Sequence, residues 1–586
     1  MVLERARRDP GGALLIIAVL AAVALYAATL ARGLVNYDDP WLVQSNWIAT
    51  HPSLSGLHAI CCDLSKNTRF VLGAEYLPLR DVSIMLDSAV WGTWYGGFHL
   101  TNVLLYGGAI IAWFAALRAF GIDRRIAGVA MLIWTLHPAH AESVAWLAER
   151  KGLLAALFTG LAALGYARFR GGARAHWIVL AALCAVAAVW SKALSAFGLA
   201  ALAGLEFSLP VHRASVRRAL VGLGVVGGAA LLAFVPVLLV AENLAVVGAV
   251  HEGPPPGFVN ALGLHGFYIR IMMLGVRNSV SYPIAIAGPS TFDIVLGSVT
   301  FAGLIALVVR GREELRAGAL VWLIGFIPLC RLILPVRGVV LADRYLLLPS
   351  LGLALVAARA LYLIGQPRAR TALITAIAFA AALRTLDAQA NWRDAMTLWQ
   401  RATQVAPNDG DAWSMYADAL DAAGETQQAN EAVQRGLKHA SSPRLLMREA
   451  LLVMEHGDPV RGRELMKKAA EQGEPRAMTN LALLELEAGH VTDAQTWARK
   501  ASETAPLYAN GQRIRGKVAL AAGANEEARE AFAEALALEP GNNANRLNLA
   551  IALVQLGRTS EARPLLEACL ADPMLAERAR ALLGAR

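Results

Sequence analysis

Residues 11–31 read GGALLIIAVLAAVALYAATLA, twenty-one residues without a charge. A run of this length at 1.5 Å per residue spans the hydrocarbon core of a bilayer. The basic start Arg5-Ala6-Arg7-Arg8 and the small residues near Ala28 have the look of a signal peptide. The apolar run is longer than a typical signal core, so it reads as a retained first membrane helix. Its flank then carries Val35-Asn36-Tyr37-Asp38-Asp39-Pro40-Trp41, two adjacent carboxylates where the chain leaves the membrane. Such a pair can hold a divalent metal or act as a base on a hydroxyl. Asp-Asp-Pro is also good chemistry for a solvated turn.

Outward from that helix the chain divides in two. It has 586 residues, 56% hydrophobic and 17% charged, apolar for a soluble protein. Long apolar blocks fill residues 11 to about 385; from Asp387 onward apolar residues alternate with charge. The domains expected are 1–386, a polytopic membrane domain, and 387–586, a helical repeat domain. The net charge of +9 is not a nucleic-acid signature. Much of it lies in short clusters between apolar blocks: Arg124-Arg125, Arg168 to Arg174, Arg213 to Arg218, Arg310 to Arg316 and Arg368 to Arg370. Basic clusters of this kind mark cytoplasmic loops.

About eleven spans satisfy that rule: 11–31, 100–117, one from 126, 152–168, 177–190, one ending near 210, 219–241, 294–309, 317–330, 345–365 and 371–383. Residues 32–98 form a long outside loop, Lys192 marks an outside turn, and 258–285, with Arg270 and Arg277, reads as interfacial or re-entrant. The N-terminus is then cytoplasmic and the C-terminal half outside. Much Ala, Arg and Leu with little Lys points to a bacterial inner membrane with periplasmic repeats. The five cysteines, Cys61, Cys62, Cys184, Cys330 and Cys569, show neither a disulfide framework nor a zinc spacing.

Beyond Asp387, Gly424, Gly457, Gly489, Gly523 and Gly557 recur at 33, 32, 34 and 34 residues. Five residues after each comes Ala429, Gly462, Ala494, Ala528 or Ala562. This is the tetratricopeptide period, a stack of helix pairs with a concave face suited to peptide or protein. About five repeats are expected, and the fold class is all-α throughout.

Polar residues gather at the expected outer face, where they point to function. Beyond Asp38-Asp39 they are Glu75-Tyr76-Leu77-Pro78-Leu79-Arg80-Asp81, Gly97-Phe98-His99-Leu100-Thr101-Asn102, His137-Pro138-Ala139-His140-Ala141-Glu142 through Lys151, and Asp343-Arg344-Tyr345. Carboxylates can orient an acceptor hydroxyl, while guanidinium and ammonium groups bind a phosphate. Each also has a structural reading. Arg150, Lys151 and Arg344 can snorkel to head groups, His99 and Asn102 can bond helices together, and His137-Pro138 can stop a helix.

Asn36-Tyr37-Asp38-Asp39, Tyr76-Leu77-Pro78-Leu79, Gly97 to Leu105, His137 to Lys151, Asp343-Arg344-Tyr345, Pro349-Ser350-Leu351-Gly352 and Trp392 to Trp399 together resemble the transmembrane and tetratricopeptide-repeat glycosyltransferases. That family belongs to the C-type, multi-span glycosyltransferases and resembles protein O-mannosyltransferases. The resemblance implies a polyprenyl-phosphate sugar donor, a protein hydroxyl as acceptor, and repeats that recruit it. It implies catalytic roles for Asp38, Asp39 and Glu142, and donor-phosphate contacts for Arg150, Lys151 and Arg344. Tyr76, Arg80, His99, Asn102, His137 and His140 are candidate substrate contacts. One departure stands out: the motif usually continues Arg-Lys-Asp, and Gly152 replaces the Asp. The alternatives are a membrane-anchored repeat scaffold without catalysis, or a transferase acting on a lipid or surface glycan.

Overall fold

A computed structural model describes residues 10–209, 216–243, 257–274, 276–332 and 341–584. The stretch Pro254-Pro255-Pro256 and residues 213–215 of the cluster Arg213 to Arg218 lie outside the described residues. The described residues are helical, without a strand. Two compact units emerge. One comprises residues 1–64, 75–242 and 249–406; the other comprises 65–74, 243–248 and 407–586. Helix Ala395–Val405, beyond the change of composition at Asp387, groups with the first unit.

Each of the eleven apolar stretches contains a helix. Among the described residues six helices are long and apolar enough to cross a membrane: Pro10–Ala31, Tyr95–Ala119, Leu147–Arg170, Val216–Glu242, Thr291–Arg310 and Pro367–Ala390. His176–Ser191, Ser195–Ser208 and Ser350–Leu361 are shorter apolar helices. The stretch 345–365 is cut down because Asp343–Leu346 forms a 3-10 turn and Ser350–Leu361 starts only after Pro349, where a missing N–H is no loss.

Small residues set how closely these helices approach, as expected where lipid removes the hydrophobic drive between helices. Helix Phe258–Met272 crosses Thr291–Arg310 with Gly266 against Gly297. A Cβ on Gly297 would overlap the Leu262 carbonyl, and one on Gly266 the Asp293 carbonyl. Arg270 pairs with Asp293 at 2.8 Å across the same crossing. The 258–272 part of the stretch read as interfacial is therefore a helix packed along a neighbour. Gly318 and Gly352 make a second close crossing, between Glu313–Phe326 and Ser350–Leu361.

The 32–98 region is built rather than irregular. Ser53 caps Leu54–Cys62 by accepting from Gly56 N at 3.0 Å, and Pro78 opens Pro78–Trp91. That last helix buries charge beside its apolar residues: Arg80, Asp81 and Asp87 are buried along with Ile84 and Met85, while Leu86 and Val90 are exposed. Its charged face turns toward the site described below.

In the second unit five helix pairs follow one another, from Gly410–Ala422 with Thr426–His439 to Asn543–Gln555 with Thr559–Cys569, closed by Ala576–Gly584. The five periodic glycines sit between the helices of each pair at positive φ, 74–90°, a conformation glycine takes without penalty. Ala429, Ala494, Ala528 and Ala562 are buried. At Gly462 a Cβ would strike Met454 and the Ala450 carbonyl, so the small residue is demanded by the approach of the paired helix.

Gly297→Ala should lower the melting temperature of the detergent-solubilised chain by the equivalent of about 1–3 kcal/mol, the cost of overpacking. Gly303→Ala, in the same helix and facing open space, should leave it unchanged or raise it slightly. Equal melting of the two variants would contradict the crossing.

Candidate active site

The acidic pair is divided between two tasks. Asp39 is 1% exposed. One of its carboxylate oxygens accepts from Val35 N at 3.1 Å and the other from Ala148 N at 2.9 Å. It therefore ties the first loop to the stretch His137–Lys151. Burial pushes its carboxyl up to about 7, although the two N–H donors favour the charged form. The Asp38 carboxylate makes no hydrogen bond or ion pair among the described residues. Burial raises its pKa, Lys151 and Arg344 pull it back, and Glu75 and Glu149 add to the rise. With both Asp39 oxygens engaged, the pair does not present a chelating set, and the only cluster of three ligand groups among the described residues lies elsewhere, at Glu485, His490 and Asp493.

Aromatic rings hold this loop in place. Tyr37 packs against Trp146 at 4.8 Å and edge-on to Trp399 at 5.6 Å. Trp399 Nε1 donates to Asn36 O at 3.1 Å, and Trp146 stacks on Trp392 at 5.3 Å. Arg32 donates to the carbonyl and side-chain oxygens of Gln389, at 2.7 and 2.5 Å. The Trp392–Trp399 segment is thus a back wall for the acidic loop.

Beside Asp38 runs a chain of alternating charge. Glu142 is clamped by Arg344: one oxygen accepts the Arg344 backbone N–H at 2.9 Å and the other pairs with the guanidinium. Arg344 also lies 3.9 Å from Glu149 and over the rings of Trp146 and Tyr345. Burial opposes its charge, but Glu142 more than offsets that and raises its pKa. Glu149 pairs with Lys192, whose ammonium sits 5.6 Å over Tyr345. Lys151 pairs with Glu75 at 2.8 Å, and Glu75 with Arg80 at 3.1 Å. Glu75 is 45% exposed on its side chain, so these two pairs are partly screened. Crowding opposes its ionisation, yet Lys151 and Arg80 hold its carboxyl below the usual range. Next in sequence to Arg344, Asp343 accepts from Asn278 at 2.6 Å and Tyr282 at 2.7 Å. Burial, then Glu142, push it up to about 7.

Lys192 and Arg344 line a small apolar cavity together with Leu194, Phe197, Pro328, Leu329 and Leu348, with Gly152 in its wall. A Cβ at Gly152 would lie 2.7 Å from a Glu149 oxygen. The missing side chain leaves Glu149 free to reach Lys192.

Other sequence-derived candidates are brought close to this centre but bound up in the scaffold. Arg150 is 1% exposed. It pairs with Asp87 at 2.6 Å and donates to Asn102 Oδ1 and to the carbonyls of Phe98 and Ser83. No face of its guanidinium is left for a phosphate. Asn102 also bridges to the carbonyls of Val144 and Trp146. His137 caps the next turn by accepting from Ala139 N, and His140 lies between Tyr106 OH and Ser350 Oγ. Tyr76 donates to Cys61 O, and Arg80 binds Asp81 at 2.8 Å. His99 is buried near the Gly33 backbone with neither ring nitrogen in hydrogen-bonding geometry. Conversely, Lys192, read from the sequence only as a turn marker, belongs to the centre, as do Glu149 and Tyr345. The signal for Lys192 was a cation closing an apolar helix in a lysine-poor chain.

Known proteins are similar to parts of this chain. A tetratricopeptide-repeat family profile matches residues 519–585. Human protein O-mannosyl-transferase TMTC4 is 24% identical over 412 residues, 59% of this chain and 55% of that protein. Mouse protein O-mannosyl-transferase TMTC3 is 24% identical over 392 residues, 59% of this chain and 42% of that protein. The chain thus spans about half the length of the curated relatives it matches. Among solved structures, the tetratricopeptide-repeat protein YrrB, described as having an unusual peptide-binding site, covers 31% of this chain and 97% of its own (16% identity, TM-score 0.25). PilW, a type IV pilus biogenesis factor, covers 37% and 97% (15%, 0.27). With helices apolar enough to cross a membrane ahead of a repeat solenoid, the chain is similar over 59% of its length to these two O-mannosyl-transferases, and its residues 519–585 match a tetratricopeptide repeat.

Proposed function

We propose that this multi-pass membrane protein transfers a sugar, a mannose-like hexose, from a polyprenyl-phosphate donor to a hydroxyl of a protein acceptor at the outer face of a bacterial inner membrane. The observation that carries this reading is the cavity: an apolar lining that includes the cations Lys192 and Arg344, with the unpartnered carboxylate of Asp38 within the field of Arg344. The apolar lining suits the first atoms of a polyprenyl chain, and the cations suit its phosphate. Because like charges repel, Asp38 faces the acceptor rather than the phosphate, and takes the hydroxyl proton as the sugar leaves the donor. Lys192, Arg344 and Lys151 stabilise the departing phosphate.

Asp39 and Glu142 act in this scheme as positioning groups. Asp39 fixes the backbone that carries Asp38, and Glu142 fixes Arg344. Arg150 is a structural cation, and no metal step is invoked. The repeats hold the acceptor on their concave face. The scaffold reading keeps one specific observation, Gly152 in place of an acid. Here Glu149 supplies a carboxylate against Lys192 at that wall. Transfer from a mannosyl-phosphoprenol to periplasmic protein in proteoliposomes tests the function; a folded chain with no transfer to protein would leave the scaffold reading standing.

Four substitutions separate the roles. Asp38→Asn should leave the melting temperature unchanged and lower transfer by about 100-fold or more, the range for a lost general base. Asp39→Asn should cost about 1–3 kcal/mol of stability, because an amide cannot accept both N–H groups. Lys192→Ala should weaken donor binding about tenfold or more, as loss of a charge-assisted contact does. Arg150→Ala should instead cost about 3–5 kcal/mol by leaving Asp87 unpaired. Melting curves and donor titrations on the four proteins distinguish them.

The raised pKa of Asp38 also sets a pH dependence. The base must be ionised, so the rate should fall with falling pH earlier than an ordinary aspartate requires. Glu75→Gln removes a negative neighbour that raises Asp38 and should move this acidic limb to lower pH. A limb unmoved in that variant would assign it to another group.

A further inference from the structure

A second concentration of charge in the first unit shares no residue with the cavity at Lys192 and Arg344. Arg277, Arg384 and Arg401 line a polar pocket with Asp387, Asn391 and Gln400. Arg401 is answered within it, donating to Asn391 at 2.9 Å and to Asp387 at 2.8 Å. The other two cations are not answered by an acid. Arg384 donates to the Val276 carbonyl at 2.6 Å, and its Nε is buried without a partner. Arg277 is exposed and makes no hydrogen bond or ion pair among the described residues. The pocket thus carries about two uncompensated positive charges and a buried N–H lacking an acceptor, a deficiency that a ligand oxygen would correct.

Its position indicates where that oxygen comes from. Arg384 and Asp387 lie in the last two turns of the membrane-spanning helix Pro367–Ala390. On that helix Phe379, Leu383 and Leu386, spaced four and three residues apart, are 65%, 51% and 44% exposed. An apolar stripe therefore runs along the span to the edge of the pocket. We infer that this pocket binds the phosphate of an anionic membrane phospholipid, with the acyl chains lying along Phe379, Leu383 and Leu386. A guanidinium fork matches two phosphate oxygens, and basic pockets at the ends of membrane helices take anionic head groups. A zwitterionic lipid brings the same phosphate but also a choline cation into a region already positive. The inference does not rest on sugar transfer.

The test uses the full chain in nanodiscs of equal phosphatidylglycerol and phosphatidylcholine, with native mass spectrometry counting the lipid retained. The wild type should retain phosphatidylglycerol about fivefold or more over phosphatidylcholine. Arg277→Gln should reduce that preference about fivefold, the size expected for one interfacial cation, while Arg277→Lys should keep most of it. Arg277 is exposed and makes no hydrogen bond or ion pair among the described residues, so its variants should fold even if Arg384→Gln does not. Equal retention of the two lipids, or an unchanged preference in Arg277→Gln, would overturn the site and leave ordinary snorkelling. Displacement of the lipid by free glycerol phosphate at equal concentration would overturn the lipid assignment in favour of a soluble phosphate.

Discussion

A buried charge must be answered, and the first unit is arranged around that requirement. Arg344 sits 9% exposed between Glu142 and Glu149, with two aromatic rings against its plane. Removing either partner of such a pair leaves an uncompensated ion in low dielectric, at a cost of several kcal/mol. The carboxylates that hold Arg344 come from the stretch around residues 142–149, and Glu149 also holds Lys192 at the end of another helix. One cation thus draws three separate parts of the chain to a single point. The Asp39 carboxylate adds a fourth by reaching Ala148 N.

This requirement separates charges that build the site from charges left to act in it. Arg150 meets Asp87, Asn102 and two carbonyls, and its bonding capacity is taken up. Asp39 has both oxygens engaged. Asp38, one residue earlier, has none engaged and is half-buried. Adjacent residues of the same type therefore have different chemistry available, because one faces backbone donors and the other faces Lys151 and Arg344. Helix Pro78–Trp91 follows the same logic, with Asp87 turned inward to meet Arg150 and Arg80 to meet Glu75, while Leu86 and Val90 are exposed.

Glycine does in both units what charge does at the site: it decides which elements meet. In the first unit Gly266 and Gly297 let two helix backbones touch, and Arg270–Asp293 closes over the same crossing. In the second unit the period of glycines turns each helix back on its partner, and a small residue five positions later admits the partner's surface. The role differs, since one uses the absence of a side chain and the other the freedom of φ, but both appear in the sequence as position alone.

Those features that depend on neighbours along the chain were legible without coordinates. Hydropathy over twenty residues marks a span, a period near 34 marks a repeat, and a basic cluster between apolar runs marks a loop, because each is a local property. The location of the acidic pair and of the stretch His137–Lys151 was legible for the same reason, as was the division into an apolar half and a repeat half. The tertiary structure alone decided which of those charges are free. Arg150 meets Asp87 from 63 positions earlier, Lys192 meets Glu149 from 43 positions earlier, and Arg384 is left short of an acceptor where Val276 supplies only a carbonyl. Coulomb energy and hydrogen bonding depend on distance in space, and a side chain's chemistry is what remains after its neighbours in space have been satisfied.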